Sequence, residues 1–117
     1  MRRLLPLHML AGLAALALGP DALAQKDQGL ELFVRPDKGY CIACHAVPAS
    51  AGPVTRSNVG PALQGSRMRE LGSAALHEML RDPTRAQPDT IMPPFGKHRI
   101  LEEREIDAVT EYLLALP

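Results

Sequence analysis

Two thiols and an imidazole stand within one short stretch, Cys41-Ile42-Ala43-Cys44-His45, and these are the side chains of the sequence best equipped for chemistry. Cysteines three positions apart share a face of a helical turn, and the imidazole follows the second directly. Such a turn allows both sulfurs to bond one porphyrin while the imidazole reaches the iron from one side, which is the attachment pattern of a c-type haem. A Cys-x-x-Cys pair also suits a redox dithiol, half of a zinc site or a plain disulfide. The thioredoxin arrangement wants a strand before the pair and a βαβ frame, whereas these flanks are rich in Gly, Pro, Ala and Leu with no alternating β-branched run. A zinc site would need two more good ligands, and the sequence holds only 2 cysteines. The spacing therefore predicts one covalent haem c, anchored by Cys41 and Cys44, with His45 as the first axial ligand.

A low-spin haem iron needs a second axial ligand, for which Met68, Met79, Met92, His77 and His98 are available. Met79 falls on an apolar helical stripe and reads as core, His77 falls on the polar face and reads as solvated, and Met68 between Arg67 and Arg69 reads as an exposed turn. Met92 precedes Pro93-Pro94. The residue before a proline is pushed into extended conformation, and two prolines stiffen the support a weak thioether ligand needs. Met92 is the favoured ligand, with His98 on the same loop as the alternative. His45 also needs a partner for its other ring nitrogen, and the carbonyl of Pro61, in Gly60-Pro61-Ala62-Leu63, is the candidate acceptor; an ordinary turn is the other reading of that segment. Arg56, Arg67, Lys97 and Arg99 are candidates for pairing with haem propionates or a partner.

These groups must be positioned by short elements. Residues 26–34 predict a helix ended by Pro36, with Leu30, Phe33 and Val34 toward the core. Residues 46–60 read as loop, 70–81 as a helix with Leu71, Ala75, Leu76, Met79 and Leu80 on one side, and 82–97 as an extended, proline-rich loop. A last helix over 101–116 carries Ile106, Val109, Leu113 and Leu116 as a stripe, with Glu102, Glu103 and Glu105 at its start, favourable to the helix dipole. Leu114, toward its polar side, is a candidate partner contact. No strand is predicted, so the fold class is all-α: short helices and long loops wrapped around one covalently bound haem.

The N-terminus has Arg2 and Arg3, an apolar stretch over residues 7–18, Gly19-Pro20 and then Ala22-Leu23-Ala24, the layout of a secretory signal peptide cleaved after Ala24. The apolar run is short for a bilayer span, which needs about 20 residues; an uncleaved anchor is the alternative. Residues 1–24 are therefore expected to be a leader and 25–117 one periplasmic domain without stable membrane insertion. A domain of that size has a marginal core, and with 2 Phe, 2 Tyr and no Trp it has few bulky side chains. A haem would supply the missing apolar centre. The formal net charge is zero, which disfavours nucleic acid or an anionic membrane as a partner.

The helix before Cys41-x-x-Cys44-His45, the Gly60-Pro61-x-Leu63 segment, the late methionine before proline and the terminal helix with Tyr112-Leu113 resemble class I c-type cytochromes. Within them the sequence is most similar to the SoxX family, the monohaem subunits of the SoxAX complexes of bacterial thiosulfate oxidation. The similarity rests on Cys41-Ile-Ala-Cys-His-Ala-Val-Pro48, Asn58-Val-Gly-Pro61, Arg81-Asp-Pro and Pro88-Asp-Thr-Ile-Met-Pro-Pro-Phe-Gly96, then Ile100-Leu101 and Glu105-Ile106. It departs at Glu102, where Ser or Thr is common as the helix cap. The resemblance implies a heterodimer with a SoxA-type cytochrome subunit, coupling of thiosulfate to a cysteine of the SoxYZ carrier at a haem of that partner, and electrons passed through this subunit to a small soluble cytochrome c. The chain would then be the redox subunit of an L-cysteine S-thiosulfotransferase type of complex, with no catalytic residue of its own. An independent electron shuttle of a respiratory chain and a haem-free thiol-disulfide oxidoreductase are the alternative readings.

Overall fold

Pro20 opens the first helix of a computed structural model that describes residues 20–117. Its fixed φ and missing N–H suit a first helical turn. This helix, α1 (Pro20–Val34), starts earlier than the apolar pattern predicts and stops before Pro36. Residues 1–19 of the leader expected over residues 1–24 lie outside the described residues, and its last five residues, 20–24, open α1. Three more α-helices follow: α2 (Gly65–Leu71), α3 (Ser73–Arg81) and α4 (Glu103–Leu114), with single 3-10 turns at Cys41–Ala43 and Pro83–Arg85. Among the described residues there is no strand, and no helix is long and apolar enough to cross a membrane. The described residues thus form the small all-α domain that the sequence predicts.

The core is built where α1 crosses α4. Gly29 lies at the crossing: a Cβ there would sit 2.1 Å from the Ala108 carbonyl oxygen and 2.7 Å from Tyr112 Cβ. Backbone contact replaces side-chain contact at this point, and the Phe33 and Tyr112 rings then pack at 5.2 Å, tilted by 58°. The buried arc of α1 is Leu32 and Phe33, with Leu30 and Val34 only half-buried against the core. It is shifted from the predicted face because α1 packs on α4 and on the Cys41–Ala43 turn together.

The helix predicted over 70–81 is two helices. Gly72, at φ 81°, breaks the chain between α2 and α3, and its N–H still closes on the Met68 carbonyl at 3.0 Å. Met68, read as an exposed turn, is 5% exposed on α2 and belongs to the core. The flanking Arg67 and Arg69 disguise the buried position between them, and Arg69 itself reaches across to the terminal carbonyls of Leu114 and Leu116 at 3.1 and 2.7 Å. Met79, read as core, is 39% exposed, because α3 buries Leu76 and Leu80 instead. His77 is not solvated: its Nε2 lies 3.2 Å from Asp107 and 3.5 Å from Glu103 on α4, and Arg81 meets Glu103 at 2.7 Å. The hydrogen bond from Arg81 holds the Glu103 carboxyl below the usual carboxylate range. The polar flank of α3 is therefore used to dock on the carboxylate-rich first turns of α4.

Within α4 the predicted stripe of Ile106, Val109 and Leu113 is buried, continued by Leu116 beyond its end and joined by Ala108 and Tyr112. Leu114 is half-buried against the core rather than turned to solvent. Glu102 stands at the N-cap, and the Glu105 carboxylate accepts its N–H at 2.9 Å. Glu105 also binds Lys38 at 2.8 Å. Burial pushes the Glu105 carboxyl up, but the hydrogen bonds from Lys38 and the Glu102 N–H together outweigh it and hold the group below its ordinary value.

Candidate haem site

The motif turn begins at Tyr40, which adopts left-handed backbone angles (φ 45°, ψ 41°) rarely taken by a residue with a side chain. That reversal turns the chain out of α1's exit and into the 3-10 turn Cys41–Ala43. The Cys41 carbonyl accepts from the N–H groups of Cys44 at 3.1 Å and His45 at 2.8 Å, so both thiols and the imidazole are held on one compact loop. Cys41 and Cys44 form no disulfide. Burial pushes the Cys41 thiol up to about 12, which keeps it protonated and a poor partner for thiol-disulfide exchange.

His45 is oriented by the segment that passes beneath it. Its Nδ1 lies 2.7 Å from the Pro61 carbonyl oxygen. A carbonyl can only accept, so Nδ1 carries the proton and Nε2 is left with a free lone pair, the tautomer that binds a metal. Gly60 packs against the same ring: a Cβ there would lie 2.5 Å from Cε1 and 2.8 Å from Nδ1. Among the described residues no group of three or more His, Cys, Asp and Glu side chains converges as a site for a bare ion. A single fixed imidazole beside two unpaired thiols fits a porphyrin iron with thioether anchors better than zinc. The residues present therefore fit a haem, with Cys41 and Cys44 to bond it and His45 Nε2 to ligate the iron.

Met92 is half-buried and packs against the core, with its N–H on the Thr90 hydroxyl at 3.2 Å. The chain after it is tied to the end of α3, Gly96 N–H to Leu80 O at 3.4 Å and Lys97 N–H to Arg81 O at 3.0 Å, and Phe95 is buried. His98, the alternative ligand, lies exposed in the turn that follows. Of the basic side chains predicted near the site, Lys97 pairs with Asp82 at 3.1 Å and Arg67 with Glu70 at 2.7 Å. Arg56 and Arg99 are exposed, without a carboxylate partner among the described residues. Three exposed apolar side chains directly precede site residues: Tyr40 before Cys41, Val59 before Gly60 and Ile91 before Met92.

The sequence reading missed Thr55 and Ser57. Their hydroxyls bond the Ile42 and Ala43 carbonyls at 3.1 and 2.8 Å. Both lie in a stretch that reads only as polar loop, and nothing in their spacing points to the motif.

Residues 24–113 match the family model described as cytochrome c oxidase, cbb3-type, subunit III. An uncharacterized lipoprotein of Aquifex aeolicus (strain VF5) is 30% identical over 76 residues, 65% of this chain. The chain spans about a third, 36%, of the length of that curated relative.

Proposed function

The chain belongs to the c-type cytochrome family of the cbb3-type oxidase subunit III domain, a family of haem-binding electron-transfer proteins, and from that premise we propose that it is a periplasmic monohaem cytochrome serving a SoxAX-type complex. In this reading Cys41 and Cys44 hold haem c covalently, and His45 and Met92 are the axial ligands. The observation that carries the haem chemistry is the 2.7 Å bond from His45 Nδ1 to the Pro61 carbonyl, which leaves Nε2 as a fixed, basic ligand. When bound, the haem supplies one-electron transfer at an iron whose potential its ligands tune.

The protein's own residues do the rest. Cys41 and Cys44 tether, His45 is held in one tautomer by Pro61, and Met92 offers a thioether from a loop braced by Pro93 and Pro94. A thioether ligand favours the reduced iron over the oxidised one and raises the potential. With His45 and Met92 both holding the iron, no position would stay open for a sulfur substrate, and substrate chemistry would belong to a partner. Support for the SoxAX assignment comes from the Arg81-Asp82-Pro83 to Met92-Pro93-Pro94-Phe95-Gly96 stretch. The leader pattern of residues 1–24, an arginine pair followed by an apolar stretch and Ala22-Leu23-Ala24, and the similarity to a lipoprotein favour an extracytoplasmic location.

Co-expression with a dihaem SoxA-type subunit tests the assignment. Copurification, with thiosulfate coupling to a SoxYZ cysteine that depends on this chain and electrons recovered on a small cytochrome c, is the expected result. A second reading, an independent carrier in a respiratory chain, is favoured by the oxidase description of the matching family. It requires the chain to elute alone and to reduce a terminal oxidase directly. Haem staining after denaturation checks the attachment itself, and a wild-type band without haem would return the thiol oxidoreductase reading.

A further inference from the structure

The Cys41–Ala43 turn satisfies only one of its own carbonyls. A helix running on past His45 would close the carbonyls of Ile42, Ala43 and Cys44 with the N–H groups of residues 46, 47 and 48, but the helix stops and Pro48 has no N–H. The segment 55–63 takes over that task in order. Thr55 Oγ1 donates to Ile42 O at 3.1 Å, Ser57 Oγ to Ala43 O at 2.8 Å and Gly60 N–H to Cys44 O at 2.8 Å. His45 Nδ1 then donates to Pro61 O at 2.7 Å, and Leu63 N–H to Ala46 O at 2.8 Å. The two stretches run side by side as a strap, paired in sequence order one rung at a time.

Within the strap Thr55 is fully committed. Its oxygen accepts the Ser57 N–H at 3.2 Å, so its single proton is directed to Ile42 O. That internal bond also sets the backbone of Ser57, whose hydroxyl makes the next rung. These two hydroxyls are the side-chain rungs; the others are backbone or the imidazole itself. They sit at the entry to the strap, and the rungs they make precede Cys44 and His45.

We propose that Thr55 and Ser57 are positioning residues for His45: their hydroxyls lock the strap to the motif turn and thereby hold the Pro61 carbonyl on Nδ1. The inference rests on the haem reading given above. The hydrogen bond to Pro61 makes the imidazole a more basic ligand, which favours oxidised iron. A loosened strap weakens that bond and shifts the midpoint potential upward.

The test uses the full chain carrying its covalent haem, with Thr55→Val and Ser57→Ala singly and together. Exchange of the His45 Nδ1 proton with solvent is expected to speed up by about fivefold or more, since each rung is worth about one ordinary hydrogen bond. The midpoint potential is expected to rise. Thr55→Ser and Ser57→Thr keep the hydroxyls and should keep wild-type values. Tyr112→Phe is the structural control: it removes the bond from the Tyr112 hydroxyl to Ala51 O, 3.2 Å, in the same loop without touching the strap. It should lower the unfolding midpoint and leave proton exchange and potential alone. Ser57 is half-buried and its hydroxyl bond to Ala43 O is exposed, so Ser57→Ala is expected to fold even if the double variant does not. Wild-type exchange and potential in the Ser57 and Thr55 variants overturn the inference and leave the haem reading standing. A wild-type chain without covalent haem defeats that reading, and the inference with it.

Discussion

At Gly60 a Cβ would press within 2.5–2.9 Å of three atoms of the His45 ring, so Gly60→Ala must tilt the imidazole or break its bond to Pro61. The variant should still hold haem through Cys41 and Cys44, but weaken the His45 ligation about 10–100-fold; loss of the low-spin optical spectrum checks this, and an unchanged spectrum counts against it. On the proposed ligation, Met92→Ala should likewise convert a six-coordinate spectrum to a five-coordinate or water-bound one and lower the potential, because the variant would lack the thioether that favours reduced iron. Unchanged bands and potential in that variant would remove Met92 from the axial position. The five-residue motif and the placement of Met92 in a loop are legible because residue types and spacing carry them. Thr55 and Ser57 are not, because a hydroxyl in a polar loop gains meaning only from the carbonyl it meets.

At the level of elements, the α1–α4 crossing is set by the absence of a side chain at Gly29. Gly29→Ala gains about 1 kcal/mol in helix propensity, yet its Cβ meets the Ala108 carbonyl oxygen at 2.1 Å and forces the helices apart, at a cost of about 1–3 kcal/mol. A larger Gly29→Val change adds more bulk and recovers less propensity. Denaturant midpoints should fall in the order wild type, Ala, Val, and a rise at Ala would show that the crossing gives way freely. Periodicity located the terminal helix well, since seven of its residues from Glu105 to Leu113 are buried on one side. It failed on α2 because Gly65 and the arginines around Met68 do not make a stripe, and it failed on His77 because a polar flank docked on carboxylates looks in sequence like a solvated one.

On the scale of the whole molecule, Lys38 and Glu105 join the segment just before the motif to the first turn of α4. The Glu105 carboxyl has its folded pKa held below the unfolded value, so its contribution is complete above the unfolded pKa of about 4.3 and is lost as pH falls through the folded pKa. Glu105→Gln should cost roughly 1–2 kcal/mol at neutral pH, and its stability should decline less steeply than wild type between about pH 5 and 3. Parallel acid limbs in urea titrations of the two proteins would show that Glu105 does not report on folding. The haem itself is expected to act as a staple for this small core. A Cys41→Ala, Cys44→Ala chain made without haem should unfold at a lower denaturant concentration than the loaded protein, and equal midpoints would contradict that role.

The sequence by itself determined the motif, the all-α class and the apolar stripes, because each is written in neighbouring residues or in a helical period. Only the tertiary structure decided which nitrogen of His45 carries the proton, how closely α1 approaches α4, and which polar side chains bind across elements rather than facing water. Those features depend on where a carbonyl, a carboxylate or a bare glycine Cα from a distant part of the chain arrives. Pro61 marks the boundary between the two: its restrained backbone is visible in the sequence, but the 2.7 Å contact that orients the ligand exists only once residues 45 and 61 are folded together.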